Sequence, residues 1–198
     1  MLSKCAPRRI DNPLTGDRIE FLASPLHGDP GPLIFRCHLA PNAKGSPLHF
    51  HRTITETFEV ESGLLDMEIG SAGAVRSLGK GQTVDLAPGL AHSFRNPLNE
   101  PTVFISTATP GAQFEKFLRT MYGLAADGGT NSDGMPTDPR ALALTLHYAD
   151  LVIPSIPRAA QTVMLGALTG LARLTRLQDK FVAYWPDAVN AETLREAA

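Results

Sequence analysis

Hydrophobic and polar residues alternate along most of the first half of this chain, and past residue 110 the pattern changes to a spacing of three and four. Leu33, Phe35, Cys37 and Leu39 alternate with Ile34, Arg36 and His38, which predicts a strand with one mostly apolar face. Residues 41–47 read as a turn. Glu56, Phe58 and Val60 share a side opposite Thr57, Glu59 and Glu61, and Ser62-Gly63 then turns the chain. Leu65, Met67 and Ile69 face inward against Asp66 and Glu68. Further strands are predicted over 75–78, 83–86, 92–95 and 103–108, broken at Gly79-Lys80-Gly81, Pro88-Gly89 and 96–101. Many short strands separated by turns predict a β-sandwich or barrel, not a parallel α/β sheet.

After Pro110 the reading is helical. A helix over 113–123 carries Phe114, Phe117, Leu118 and Met121 on one face, with Glu115 and Arg119 as an i,i+4 pair. Residues 126–135, rich in Gly, Asn and Asp, read as loop. Thr137 or Asp138 can cap a second helix reaching about residue 152, with Pro139 in its first turn, and Pro154 and Pro157 end it. A longer helix is predicted over 158–183, with Ala160, Met164, Ala167, Leu171, Leu174 and Phe181 on one seam. Its stretch 159–172 is apolar on almost every side and contains Gly166-x-x-x-Gly170. That predicts a helix buried against the barrel or a second subunit; the sharper alternative is a segment that touches lipid or binds an apolar ligand, helped by Arg173, Arg176 and Lys180. The chain thus divides into a β unit with N-terminal strands, 1–110, and a helical extension, 111–198, packing on the barrel or on a partner subunit.

Candidate chemistry sits in the β unit. His49 and His51 are two apart, so on a strand both face one way while Phe50 faces the other. Glu56 shares its side with Phe58 and Val60, an unusual place for a solvated carboxylate. His92 follows Pro88-Gly89. Three imidazoles and one carboxylate suit a divalent transition metal (Fe, Mn, Ni or Zn) and leave coordination positions open on a six-coordinate ion. Asn96, followed by Pro97, reads as a structural residue at a turn or strand end; His27, His38 and His147 read as ordinary. Cys37 reads as a small core residue or a thiol lining a pocket. Phe35, Phe58, Met67, Phe94 and Phe104, with Cys37, would either line a hydrophobic substrate pocket or fill the barrel core.

Composition narrows the function. A chain of 198 residues, 43% hydrophobic, has room for one substantial globular domain or a domain with an extension. A net charge of −2 with scattered basic residues predicts no nucleic-acid partner. Cys5 and Cys37 form neither a metal pair nor a disulfide framework, and a reducing cytoplasm is the expected location. Arg8-Arg9 lacks the apolar stretch of an export signal, and no segment is long enough to span a bilayer.

The two segments Gly45-x3-His49-x-His51-x4-Glu56-x6-Gly63 and Gly81-x6-Pro88-Gly89-x2-His92-x3-Asn96 resemble the paired motifs of the cupin superfamily, Gly-x5-His-x-His-x3–4-Glu-x6-Gly and Gly-x5-Pro-x-Gly-x2-His-x3-Asn. Three residues rather than five precede His49, Ala87 stands at the motif's proline, and Gln82 stands where Asp is common. None of these departures touches a candidate ligand. The resemblance implies a mainly β fold, an RmlC-like double-stranded β-helix or jelly-roll barrel, here with C-terminal α-helices like those of other small bacterial single-domain cupins. It also implies a metal held by His49, His51, Glu56 and His92, and pairing into a homodimer. It supplies a fold and a site, but no substrate.

The leading functional expectation is a metal-dependent enzyme acting on a small organic molecule, a quercetin-dioxygenase-like oxygenase. Glu56 would take the substrate's proton, its basicity raised by the apolar barrel. Two alternatives use the same residues: a non-redox isomerase, decarboxylase or lyase, and a non-catalytic cupin that binds a small molecule.

Overall fold

The computed structural model describes residues 7–186, so Cys5 and the last dozen or so residues of the helical extension lie outside it. In chain order the elements begin with β1 (Arg9–Asp11), β2 (Arg18–Ala23), β3 (Leu33–Leu39), β4 (Ser46–His51), β5 (Thr55–Ser62) and β6 (Leu64–Ile69). They continue with β7 (Val75–Gly79), β8 (Thr83–Leu86), β9 (His92–Arg95), β10 (Thr102–Thr109), α1 (Ala112–Ala126) and α2 (Pro139–Tyr148). β11 (Leu151–Val152), α3 (Arg158–Leu174) and α4 (Leu177–Phe181) follow. The strands form two antiparallel sheets, one ordered β1-β2-β3-β10-β5-β8 and the other β11-β4-β9-β6-β7. This is the mainly β jelly roll with C-terminal helices that the alternation and the motifs predict.

Alternation decides which residues meet between the sheets. Along β3, Leu33, Phe35, Cys37 and Leu39 are buried while the residues between them are half-exposed. Phe58 and Val60 of β5, Leu65 and Met67 of β6, and Phe104 of β10 join them in one core. Phe58, Phe94 and Phe104 form a mutually packed trio, with ring centroids 5.4–5.7 Å apart. Such tilted contacts add to the stabilisation from area burial alone.

Two motif residues fix the barrel's corners. Gly45 has φ +63°, and a Cβ there would lie 1.9 Å from the carbonyl oxygen of Phe94, so a side chain would keep β4 from approaching β9. Asn96 is buried and fully used: Nδ2 donates to the carbonyls of Ala40 (2.8 Å) and Glu100 (2.7 Å), and Oδ1 accepts from Leu98 N and Thr102 Oγ1. Its reading as a structural residue is therefore correct.

The helices depart from expectation in three places. α2 is capped by Asp138, whose carboxylate accepts from Arg140 N at 2.8 Å, but it stops at Tyr148 and does not reach residue 152. Asp150 takes φ +50°, turning the chain so that Leu151 and Val152 pair with His51 and Phe50 of β4. Pairing with an open sheet edge thus outcompetes continuation of the helix. The predicted helix over 158–183 breaks at Arg176, φ +54°, into α3 and α4. Nor is α3 buried against the barrel: it buries Gln161, Thr169 and Ala172 and exposes Val163 (74%) and Leu174 (81%). Gln161 holds the preceding loop, its amide donating to the carbonyls of Ile153 and Ile156 and accepting from Ile153 N.

The Glu115–Arg119 pair forms at 2.8 Å inside the protein, with both side chains at or below 1% exposure. Glu115 also accepts from Ser24 Oγ and from Leu26 N, and Arg119 donates to the carbonyl of Pro7 and lies over the Phe21 ring. One turn of α1 thereby fastens the N-terminal strands to the barrel.

Candidate metal centre

β4 and β9 are paired in register at His49 and His92, with a bulge in β4 between Ser46 and His49. His51 follows two residues along β4 on the same face, and Glu56 comes from β5 in the opposite sheet. The four side chains therefore close the gap between the sheets, each at most 5% exposed. One potential ligand atom from each lies within 4.8 Å of the others. Glu56 Oε2 is 3.0 Å from Nε2 of both His51 and His92.

Whether these residues suit a cation is decided by their other nitrogens. His49 Nδ1 is 2.8 Å from the carbonyl of Pro47, His51 Nδ1 is 2.6 Å from that of Ala149, and His92 Nδ1 is 3.0 Å from that of Leu90. A carbonyl only accepts, so each Nδ1 carries a hydrogen, and a ring that carries no second one turns the lone pair of Nε2 toward the others. His51 Nε2 is buried and makes no hydrogen bond, although Glu56 Oε2 is near. Three lone pairs and a carboxylate oxygen converging in a buried space repel one another unless a positive charge lies among them. Carbonyl-oriented imidazoles of this kind are the usual outer support of a metal site. The donor set fits a divalent transition ion.

The electrostatics show the same demand for positive charge beside Glu56. Burial and the neighbouring imidazoles of His92 and His51 hold His49 at about 4, so it stays neutral. Burial pulls His51 down, but the Glu56 carboxylate outweighs it and raises the imidazole above its usual range. For Glu56, burial acts upward, as expected of an apolar barrel, yet His51 and His92 outweigh it and hold the carboxyl at about 2. The expectation that the barrel raises the basicity of Glu56 is thus corrected: the imidazoles facing it keep it ionised and weakly basic.

The site opens on a cavity of about 250 Å³. Phe35, Cys37, Phe58, Phe94 and Phe104 line it and also pack into the barrel core, so the two uses that the sequence left open coincide. Met67 does not line it; it is wholly buried in the core beside them. Burial pushes the Cys37 thiol far up, so it remains protonated. Sequence reasoning missed the wall that the helical extension supplies, through Phe114, Phe117, Met121 and Tyr122 of α1 and Leu151 of β11. Phe114 packs edge-on to His51, with centroids 5.4 Å apart. The apolar face of α1 was the available signal, but nothing in the sequence said which surface it covers.

Residues 35–108 match the model of a family described as "Cupin domain". This stretch is a cupin domain. Among solved structures, the chain is similar to an uncharacterized conserved protein with a double-stranded beta-helix domain from Klebsiella pneumoniae (29% identity, 40% of this chain and 68% of that one, TM-score 0.37). It is also similar to a sugar phosphate isomerase of the cupin superfamily from Silicibacter pomeroyi (21% identity, 51% and 69%, TM-score 0.45), and to an RmlC-like cupin from Shewanella frigidimarina (19% identity, 52% and 83%, TM-score 0.43). No curated protein matches. The matched domain contains all four candidate ligands, but not α1 or β11.

One support of the cupin site lies outside the matched domain. The corner after α2 gives Ala149 O to His51, and Asp150 anchors that corner by accepting from Arg52 Nε (2.6 Å) and Thr53 Oγ1 (2.8 Å). Asp150→Ala is expected to release the corner and weaken metal affinity by about 10–100-fold, as loss of outer support does. Asp150→Asn, which keeps an acceptor and tolerates positive φ, loses less. Competitive titration against a metal-sensitive dye measures both.

Proposed function

We propose that this protein is a metal-dependent enzyme acting on a small, uncharged, mainly apolar organic molecule, an oxygenase of the quercetin-dioxygenase type. The observation that supports it is the junction of two surfaces: His49, Glu56 and His92 line the same cavity as six phenylalanines and two methionines, and no lysine or arginine lines it. A phosphorylated or carboxylate substrate would find no cationic side chain there; an aromatic or enolic one would find rings to pack against.

A divalent ion in this site supplies Lewis acidity toward a substrate oxygen and, if redox-active, electrons for reaction with dioxygen. The chain's own residues do the rest. Phe58, Phe94 and Phe104 hold the body of the substrate and exclude water. Phe114 packs on His51 and closes the cavity on the α1 side. Glu56 takes a proton at its carboxylate; its weak basicity means that it accepts only from a group already acidified in the site.

The test is oxygen consumption by protein loaded separately with Fe, Mn, Ni or Zn and offered flavonols and enediols. Oxygen uptake is expected with a redox-active ion and to fall at least about 100-fold in Glu56→Gln, with the bound ion retained, as loss of a general base does. Turnover without oxygen, equal with zinc, would instead favour the non-redox isomerase or decarboxylase. Saturable binding without product would favour a binding cupin. Homodimer formation and a cytoplasmic location belong to the same proposal, and sedimentation and cell fractionation measure them.

A further inference from the structure

The cavity at the metal centre has a second polar end. Strand register places it: Ala108 of β10 pairs with both Leu33 and Glu56, so Glu56 lies level with the start of β3. Arg18 pairs with His38, so Asp17 lies level with the end of that strand, six residues and about 20 Å further on. Asp17 is two residues from the buried Ile19 and shares its inward side, while Arg18 turns out to pair with Asp11. α1 spans the same length. Phe114 packs on His51 in its first turn, and Tyr122, eight residues and about 12 Å along the helix, lines the cavity's other end with Asn12, Thr15 and Asp17. Thr15 and Asp133 of the same lining are exposed, so this end is a mouth.

Two groups there have bonding capacity to spare. Asp17 Oδ1 accepts from Ala40 N at 2.8 Å and Oδ2 from Thr15 Oγ1 at 2.7 Å, two of the roughly four bonds a carboxylate can accept. No cation is paired with it among the described residues. The Tyr122 hydroxyl makes no hydrogen bond among the described residues. Burial, then the neighbouring Cys37, Asp17 and Asp11, push it well above its usual range, so it stays protonated and able to donate. Asp133, the remaining carboxylate at this end, is engaged by Lys44 at 3.2 Å. An acceptor and a donor with unused capacity thus share one end of a mainly apolar cavity, and both lie outside the matched cupin domain.

We propose that Asp17 and Tyr122 bind a hydroxyl group at the end of the substrate remote from the metal. The inference rests on the aromatic, metal-bound substrate proposed above and narrows it to an elongated molecule with an oxygen at each end. One oxygen is held beside His49, Glu56 and His92; the other is a hydroxyl left at the mouth. A hydroxyl donates to Asp17 and accepts from Tyr122 at once, so it uses both groups. An ammonium ion would only donate and leave the Tyr122 hydrogen unused. A ring ending in carbon or in an ether would cover the carboxylate without giving it a donor, the costly case for a polar group taken out of water.

Calorimetric titration of the full chain loaded with redox-inert zinc tests this. The probes are a flavonol with a hydroxyl at the para position of its outer ring, the methyl ether of that hydroxyl, and the flavonol without it. The hydroxylated probe should bind at least about tenfold tighter than the other two, which leave a polar group unpaired. Tyr122→Phe and Asp17→Asn should each lessen that preference at least about threefold. Tyr122→Phe should also leave the melting temperature unchanged, because the hydroxyl it removes bonds to no described residue. Equal binding of all the probes, or a preference untouched by both variants, would overturn the subsite and leave the aromatic cavity standing. Binding of none of them would remove cavity and subsite together. A preference that the variants abolish, in protein that consumes no oxygen with iron or manganese, would uphold the subsite and overturn the oxygenase.

Discussion

Alanine at His51 or His92 is expected to weaken divalent-metal affinity by well over about 100-fold, more than any change outside the ligand set. Each ring brings one Nε2 lone pair to the common centre, its Nδ1 fixed to a backbone carbonyl. Removing it deletes a donor and leaves Glu56, buried, with a single imidazole within 3.0 Å. Equilibrium dialysis against manganese or zinc measures the loss. A cluster that served only to stabilise the barrel would give a different outcome: a lowered melting temperature in the variants, and no metal bound by either variant or parent.

The second large effect is on stability. Arg119→Met should cost about 3–5 kcal/mol, the usual consequence of stranding one member of a buried ion pair. In a chain of this size that corresponds to a fall of roughly 10 °C in melting temperature. The cause is specific: Glu115, fully buried, keeps its bonds from Ser24 Oγ and Leu26 N but loses the guanidinium paired with it at 2.8 Å. The double variant Glu115→Gln, Arg119→Met should recover part of the loss, because it removes the uncompensated charge while its amide still accepts from the same donors. Thermal unfolding followed by circular dichroism distinguishes this from simple loss of packing, for which the double variant would be no better than the single.

Much of the barrel was legible because period-two alternation and glycine punctuation are local signals. The inward run Leu33, Phe35, Cys37, Leu39 and the face shared by Glu56, Phe58 and Val60 need no knowledge of the rest of the chain. The candidate ligands were legible for the same reason, since His49 and His51 had to share a face wherever their strand lay. What failed depended on contacts distant in sequence. α2 ends early because an edge of β4 was available to Leu151 and Val152, and that edge is about a hundred residues away. The support of His51 by Ala149 was invisible because a backbone carbonyl has no residue signature. The apolar surface of α3 predicted burial; it did not show that Gln161, Thr169 and Ala172 would form the inner face and leave Val163 and Leu174 outside. Met67 fell on the correct side of its strand, but side of strand does not distinguish the core from the cavity wall.

Metal stoichiometry bears most directly on the central claim, that four side chains from two sheets converge on one cation. Protein purified without an immobilised-metal column, stripped with chelator and then titrated with manganese, iron, nickel or zinc, should take up one ion per chain. In Glu56→Ala and His49→Ala that site should disappear. An apoprotein that retains none of these ions would contradict the account and leave the converging lone pairs unexplained.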